Sequence, residues 1–221
     1  MLRVKICGIT RLEDAQVACD LGADAIGFIF YEKSPRSITM RDAVAIAAQL
    51  PDHVARVGVF VHTSPVEIFR YIETVRLDVV QLHGEYSVLA IEQFAPNQVI
   101  AVARVGDRFR STELEHFQGR VAAILLDTQK RGLYGGTGET FDWQAALDAK
   151  AYGRIILAGG LNPDNVRQAV EIVSPYAVDV SSGVEAQPGK KDHQKLRQLF
   201  WLLQQYRNDW QPDLNGRFPL V

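Results

Sequence analysis

The chain has 221 residues, 47% of them hydrophobic and 23% charged, with a formal net charge of -2, which is typical of a soluble globular protein. No broad basic surface is implied, so we do not expect nucleic acid as a partner. Because no apolar run suits a signal peptide or a membrane span, and two cysteines give no disulfide framework, we expect a cytoplasmic protein with no membrane partner.

Eight short apolar runs, rich in β-branched residues, predict strands along the chain. Amphipathic segments between them predict helices with start signals such as Thr39 and Ser64–Pro65. Strands of nearly continuous apolar character favour a parallel sheet covered by helices, so the pattern predicts an α/β fold, a single-domain (β/α)₈ TIM barrel. A doubly wound sheet is the competing architecture, although a chain of this length usually forms fewer than eight strands in that fold. The predicted strands are Arg3–Cys7, Ala25–Phe30, Ala55–Val61, Val79–His83, Val99–Val105, Ala122–Asp127, Arg154–Gly159 and Ala177–Ser181.

The domain organisation is predicted to be simple. Residues 1–208 contain no low-complexity segment or Pro/Ser-rich linker, so we expect them to form one barrel domain. From 209 to 221 the sequence contains Pro212, Gly216 and Pro219, which break helical periodicity. This stretch is predicted to be an irregular C-terminal tail.

The first predicted strand ends at a nucleophilic side chain. Because side chains alternate between the two faces of a strand, Lys5 and Cys7 share a face, and Cys7 is the last residue on it. Thr10, with Glu13 three residues later, predicts a capping box that opens a helix at Arg11. Barrel enzymes carry out their chemistry at the carboxyl ends of the strands, so Cys7 is a candidate catalytic residue.

Two polar side chains follow predicted strands two and four. Arg36 lies in the loop 31–38, where its planar guanidinium could bind a carboxylate or a phosphate, or could simply be solvated. His83 ends the fourth strand at the rim, where it either binds substrate or makes a structural hydrogen bond. The sequence allows both interpretations of Arg36 and both of His83.

Asp127 ends the apolar run of predicted strand six, in a position like that of Cys7 in strand one. Hydrophobic surroundings raise the pKa of an aspartate, so Asp127 could hold a proton near neutrality and act as a general acid, or it could cap a loop amide. The glycine-rich loop 132–140 that follows lacks the ending of a nucleotide-binding P-loop. We predict that it is a lid over the substrate.

Glycine-containing loops follow predicted strands seven and eight, and they indicate a phosphate site. Glycines allow backbone amides to approach an anion closely, and barrels commonly bind phosphate at these two loops. The alternative is that the glycines only make tight turns. The candidate substrate-binding residues here are Gly159, Gly160, Asp179, Ser181, Ser182 and Gly183.

Two charges are predicted to lie inside the barrel. Lys5 is one layer below Cys7 on strand one, and Asp179 shares a face with Ser181 on strand eight, the neighbour of strand one in a closed barrel. We expect Lys5 and Asp179 to pair, since an unpaired interior charge would cost several kcal/mol. A Schiff-base lysine at Lys5 is the alternative.

These rim residues together resemble the phosphoribosylanthranilate isomerase family of tryptophan biosynthesis. The resemblance covers nearly the whole chain up to about Tyr206, and six separate motifs in register make it specific; the tail from Asp209 lies outside it. The matching segments are Lys5–Thr10, Gln81–Gly84, Leu126–Thr128, Gly135–Gly138 with Phe141–Trp143, Ala158–Leu161 and Val178–Glu185, and Pro188–Asp192 continues the match.

The resemblance implies a small-molecule sugar-phosphate substrate, N-(5-phosphoribosyl)anthranilate, isomerised by an Amadori rearrangement in the third step from chorismate to tryptophan. It implies no cofactor and no metal. It assigns the general base to Cys7, the general acid to Asp127 and the loop arginine to Arg36. The sequence leaves both a monomer and a homodimer open.

Two other functions are also compatible with the barrel and its predicted phosphate loops. A related sugar-phosphate isomerase or synthase barrel would share the phosphate loops, but the histidine-pathway isomerase would be expected to carry aspartates at strands one and six, and Cys7 argues against it. A non-catalytic barrel that binds a phosphorylated ligand would be expected to lack the acid or the base. Both Cys7 and Asp127 are present.

Overall fold

The computed structural model describes residues 1–128, 143–207 and Phe218. Eight parallel strands close into a barrel in chain order, and β1 pairs with β8 to complete the ring. The predicted barrel is therefore confirmed. The barrel strands are β1 (Arg3–Cys7), β2 (Ala25–Ile29), β3 (Ala55–Val61), β4 (Val79–His83), β5 (Val99–Val105), β6 (Ala123–Thr128), β7 (Ile155–Leu157) and β8 (Ala177–Val180).

A helix follows each barrel strand, as the alternation predicted. After β5 this helix is a 3₁₀ helix, Ser111–Phe117, rather than an α-helix. No helix in the described part of the chain is both long and apolar enough to cross a bilayer. The α-helices are α1 (Leu12–Asp20), α2 (Met40–Ala47), α3 (Pro65–Val75), α4 (Val88–Ile91), α5 (Gln144–Ala149), α6 (Val166–Val173) and α7 (His193–Leu203).

The helix starts test three predicted caps. The side chains of Thr39 and Ser64 accept hydrogen bonds from backbone amides of α2 and α3, so those two caps are confirmed. The capping box at Thr10 is wrong, because α1 begins at Leu12 after Arg11, which caps nothing with its side chain. Thr10 instead donates its hydroxyl to the carbonyl of Gly189 at 2.5 Å, which ties the turn after β1 to a distant hairpin.

That hairpin follows β8 and consists of two short antiparallel strands, β9 (Glu185–Gln187) and β10 (Lys190–Lys191). Its register places Lys191 opposite Glu185. The hairpin therefore brings two charged residues back towards the carboxyl ends of β1 and β8.

Two apolar layers hold the barrel together. Alternate strand residues point outward and pack against the helices, while the others fill the interior. The inner cluster consists mainly of alanine, valine and isoleucine from the amino-terminal halves of the strands. The floor of the barrel is thus closed by side chains, and polar groups are left to the carboxyl end.

Phe218 also belongs to this inner cluster, although it lies in the segment predicted as a tail. Its ring is 0% exposed and lies 6.1 Å from the ring of Tyr176, between centroids. The other residues of the predicted tail, 209–217 and 219–221, lie outside the described residues.

Replacing Phe218 by alanine is expected to lower the free energy of unfolding by about 3–5 kcal/mol, because a buried ring is lost from the barrel floor. Urea denaturation measures the change. Trp201→Ala removes a ring that is 71% exposed and should change stability by less than ~0.5 kcal/mol. Equal changes in the free energy of unfolding for the two substitutions would show that Phe218 does not pack in the floor of the barrel.

Candidate active site

The carboxyl ends of the strands surround one cleft. Nine of the ten site residues predicted from the sequence line it; Gly183 alone is not among its lining residues. Both catalytic candidates are included, from strands that are not neighbours in the barrel. The nine are Cys7, Arg36, His83, Asp127, Gly159, Gly160, Asp179, Ser181 and Ser182.

One wall of the cleft carries Cys7 and a buried ion pair. Lys5 lies opposite Asp179 in the pairing of β1 with β8, and its Nζ is 2.9 Å from Asp179 Oδ1. The predicted pair is therefore confirmed. Burial disfavours the Lys5 ammonium, but the charge of Asp179 and, when Cys7 is ionised, the charge of its thiolate outweigh this effect and hold the pKa of Lys5 above its usual value. Full burial and this pairing favour a structural cation over a Schiff-base lysine.

The absence of a side chain at Gly27, on the neighbouring strand β2, gives this wall its close packing. A Cβ there would lie 2.8 Å from Cys7 Sγ and 3.2 Å from Lys5 Cε. Burial raises the pKa of the Cys7 thiol above its ordinary value, and the positive charges of Lys5 and Lys191 only partly oppose it. The thiol is therefore the favoured form of Cys7 at neutral pH.

Asp127 faces the cleft from β6. Burial, followed by the charge of Asp179, raises the pKa of Asp127 to about 6, while the Thr128 amide and the charge of Arg104 partly oppose the rise. Thr128 N donates to Asp127 Oδ1 at 2.9 Å and fixes that oxygen. Asp127 thus exchanges its proton close to neutral pH, as a general acid requires.

Arg36 is held in the cleft rather than solvated. Its backbone amide donates to Ser34 Oγ at 3.2 Å, and its guanidinium is paired with Glu185. Gly8 has φ +73°, and a Cβ there would lie 2.9 Å from Arg36 Cδ. The glycine after Cys7 therefore both turns the chain and makes room for the arginine.

His83 and Gln81 project from β4 into the same cleft. Burial, and then the charge of Arg104, lowers the pKa of His83 to about 4, so its imidazole is neutral at physiological pH. Gln81 Oε1 is buried and has no hydrogen-bond partner among the described residues. These groups offer neutral hydrogen-bonding atoms beside the apolar lining of Ile29, Val59 and Leu125.

The loops after β7 and β8 meet at the rim. Gly159 and Gly160 have φ of +78° and +69°, and a Cβ at Gly159 would lie 3.2 Å from Asp127 Oδ1. A Cβ at Gly183 would overlap the carbonyl oxygen of Leu161, so this glycine lets the two loops touch. The glycine-rich loop 132–140, predicted to be a lid, lies outside the described residues.

Sequence reasoning missed the roles of four residues around this cleft. Gln81 and Arg104 share an inward face with His83 and Asp127, and the period-2 rule could have placed both inside. Glu185 and Lys191 lay within the family-like segments, but nothing local indicated that they would fold back onto Arg36.

Comparison with known proteins gives a consistent result. The model of the family described as N-(5'phosphoribosyl)anthranilate (PRA) isomerase matches residues 4–201. The N-(5'-phosphoribosyl)anthranilate isomerase of Geobacter sulfurreducens is 50% identical over 199 residues, which cover 90% of this chain and 97% of that one.

Two solved structures extend the match to the fold. A crystal structure of monomers of the dimeric phosphoribosylanthranilate isomerase from Thermotoga maritima has a TM-score of 0.81 at 42% identity, covering 93% of this chain and 100% of that one. A phosphoribosylanthranilate isomerase in complex with reduced 1-(o-carboxyphenylamino)-1-deoxyribulose 5-phosphate has a TM-score of 0.79 at 44% identity, covering 90% and 97%.

Proposed function

The chain belongs to the N-(5'-phosphoribosyl)anthranilate isomerase family, and from that premise we propose that Cys7 and Asp127 are its general base and general acid. The chain is an isomerase of tryptophan biosynthesis that converts N-(5'-phosphoribosyl)anthranilate to 1-(2-carboxyphenylamino)-1-deoxyribulose 5-phosphate. The observation that supports the two roles is that a thiol and a carboxyl group on separate strands face one cleft.

The chemistry needs an acid and a base at one small substrate. Asp127 protonates the furanose ring oxygen, which breaks the bond to the anomeric carbon and opens the ring to a Schiff base. The Cys7 thiolate then takes the proton from C2 of the sugar, and the resulting enamine tautomerises to the ketone. The overall change is an isomerisation, so no proton or electron is gained or lost.

The remaining groups suit the two anionic ends of the substrate. Arg36 can pair with the anthranilate carboxylate through its guanidinium. The backbone around Gly159, Gly160 and Ser182, with Gly183 behind it, suits the phosphate, because glycine lets amides approach an anion closely. His83, Asp179 and Ser181 line the middle of the cleft and are proposed to contact the sugar. A dephosphorylated substrate that binds as well as the natural one would refute the phosphate assignment.

The catalytically active form has a thiolate at Cys7 and a protonated Asp127. It has the same net charge as the resting form, a thiol and a carboxylate, and differs from it only in the position of one proton. Below about pH 6 both groups are protonated and no base is present. Above the raised pKa of Cys7 both are ionised and no acid is present. Between these limits the pair shares one proton, and a constant fraction is in the catalytically active form.

We therefore expect kcat/KM to rise through about pH 6, to stay level, and to fall only above the ordinary thiol pKa of about 8.5. Binding of the reduced product analogue, reduced 1-(o-carboxyphenylamino)-1-deoxyribulose 5-phosphate, over the same pH range controls for ionisation of the phosphate. Activity that falls steadily from pH 5 to pH 7 would contradict a base that must lose its proton.

The assay for the function is the loss of the substrate's anthranilate fluorescence when purified protein is mixed with freshly made phosphoribosylanthranilate. We expect turnover with this substrate and none with the substrate of the histidine-pathway isomerase. Turnover of the second substrate alone would assign the cleft to the related isomerase, and turnover of neither would favour a binding protein.

We further propose that residues 1–208 form one catalytic domain that acts in the cytoplasm as a monomer or homodimer. The continuous barrel supports the single domain. The dimeric relative from Thermotoga maritima supports the possibility of a dimer. Sedimentation of the purified protein would decide between the two oligomeric states.

A further inference from the structure

Three charged side chains form a buried cluster behind the cleft: Arg36, Glu185 and Lys191, which are 9%, 7% and 3% exposed. Arg36 comes from the loop after β2, whereas the other two come from the hairpin after β8. Arg36 thus contacts a residue 149 positions later in the sequence, Glu185. A cluster of this burial is retained only if its charges are paired, and each member here has a charged partner.

Glu185 occupies one whole edge of the Arg36 guanidinium. Nε of Arg36 donates to Glu185 Oε1 and Oε2 at 2.9 and 3.0 Å, and Nη2 donates to Oε2 at 2.7 Å. A two-pronged pair of this kind fixes the plane of the guanidinium as well as its position. Because Arg36 also lines the cleft, the Nη1 edge is the one left for an anionic ligand.

Lys191 uses the same cluster to hold the backbone of the catalytic cysteine. Its Nζ donates to Cys7 O at 2.7 Å, to Ser181 O at 3.1 Å and to Glu185 Oε1 at 3.0 Å. Three acceptors around one nitrogen match the three donors of an ammonium group. Cys7 ends β1 and Ser181 follows β8, so one side chain joins the carboxyl ends of the two strands that close the barrel.

The charges support this arrangement. Burial favours neutral Glu185, but the partners Arg36 and Lys191 outweigh it and hold the pKa of Glu185 below its ordinary value. Burial lowers the pKa of Lys191, although Glu185 opposes this effect. With Arg36 and Lys191 both protonated, the cluster carries one surplus positive charge beside the Cys7 carbonyl. The charge of Lys191 favours the thiolate of Cys7, in the same direction as Lys5.

We propose that Glu185 and Lys191 are positioning residues for the isomerisation: Glu185 aims the guanidinium of Arg36 into the cleft, and Lys191 fixes the backbone of Cys7. Neither residue lines the cleft, so each acts through its partner. This inference rests on the proposed function. It predicts different kinetic effects for the two residues, because Arg36 handles the substrate and Cys7 carries out proton transfer.

The test uses Glu185→Gln and Lys191→Met in the full chain. Glu185→Gln keeps the shape but loses the charge, and we expect KM and the Kd of the reduced product analogue to rise about tenfold with a smaller change in kcat. Lys191→Met removes the donors, and we expect kcat to fall about tenfold or more with a smaller change in KM.

A matched control lies at the opposite end of the barrel. Arg207 Nη1 donates to Asp24 Oδ2 at 2.7 Å, and this ion pair is as buried as the Arg36–Glu185 pair. Arg207→Met should destabilise the fold but leave KM and kcat of the folded fraction unchanged. Urea unfolding of each variant gives the folded fraction.

A double-mutant cycle tests whether Glu185 acts through Arg36. In an Arg36→Met background, Glu185→Gln should raise KM and Kd no further, because its partner is already lost. An equal rise of KM and Kd in both backgrounds would overturn the proposal. So would changes in KM or kcat for Glu185→Gln and Lys191→Met that are no larger than those for Arg207→Met. If the wild-type protein shows no turnover, the proposed function fails instead, while the Kd measurements still test the link between Glu185 and Arg36.

Discussion

Replacing Asp127 by asparagine is expected to lower kcat by about 10²–10⁴-fold, the usual contribution of a general acid or base. Asparagine has the same shape, and its carbonyl oxygen can still accept the Thr128 amide that bonds Asp127 Oδ1 at 2.9 Å. It cannot release a proton to the furanose ring oxygen. Binding of the reduced product analogue should stay largely intact, which steady-state kinetics and calorimetry together would show.

Asp78→Asn provides a matched control for this prediction. Asp78 accepts the backbone amide of Arg56 at 2.8 Å, beside the amino end of β4 and away from the cleft. Its replacement should change stability without changing kcat. Near-normal turnover of Asp127→Asn would remove Asp127 from the role of acid.

Replacing Cys7 by serine is expected to lower kcat by a similar factor, about 10²–10⁴-fold. The hydroxyl occupies nearly the same place as the thiol but is a much weaker acid, so it does not supply an anion to take the C2 proton. Product binding should again be largely retained, since the substituted group is small. The fluorescence assay measures the loss directly.

The chain contains its own control for this substitution, because Cys19 is its other cysteine. Cys19 lies in α1 outside the cleft, and burial raises the pKa of its thiol to about 12. Cys19→Ser should leave kcat of the folded protein unchanged. A Cys7→Ser enzyme that works as well as Cys19→Ser would exclude Cys7 as the base.

The barrel could be predicted because each element carries its own local signal. Strands such as Ala25–Ile29 are apolar runs, and strand periodicity places Lys5 and Cys7 on one face. Closure of the barrel then makes β1 and β8 neighbours. The Lys5–Asp179 pair therefore follows from strand periodicity, barrel closure and the cost of an unpaired interior charge.

The parts that could not be predicted depend on contacts between distant residues. Thr10 has the sequence of a helix cap, but its hydroxyl finds a partner in Gly189, 179 residues away. From the sequence, Arg36 could not be distinguished from a solvated loop arginine, because its partner Glu185 lies on the distant hairpin. Likewise, the amount by which burial raises the pKa of Asp127 is decided by the finished interior and not by its own strand.

A crystal structure of this protein with the product analogue, reduced 1-(o-carboxyphenylamino)-1-deoxyribulose 5-phosphate, tests the central claim most directly. We expect Cys7 Sγ and an oxygen of Asp127 to lie within about 3.5 Å of the ribulose chain from different sides, the reach that proton transfer requires. The phosphate should lie at the loops after β7 and β8. A bound analogue whose sugar reaches only one of these two side chains would contradict the mechanism.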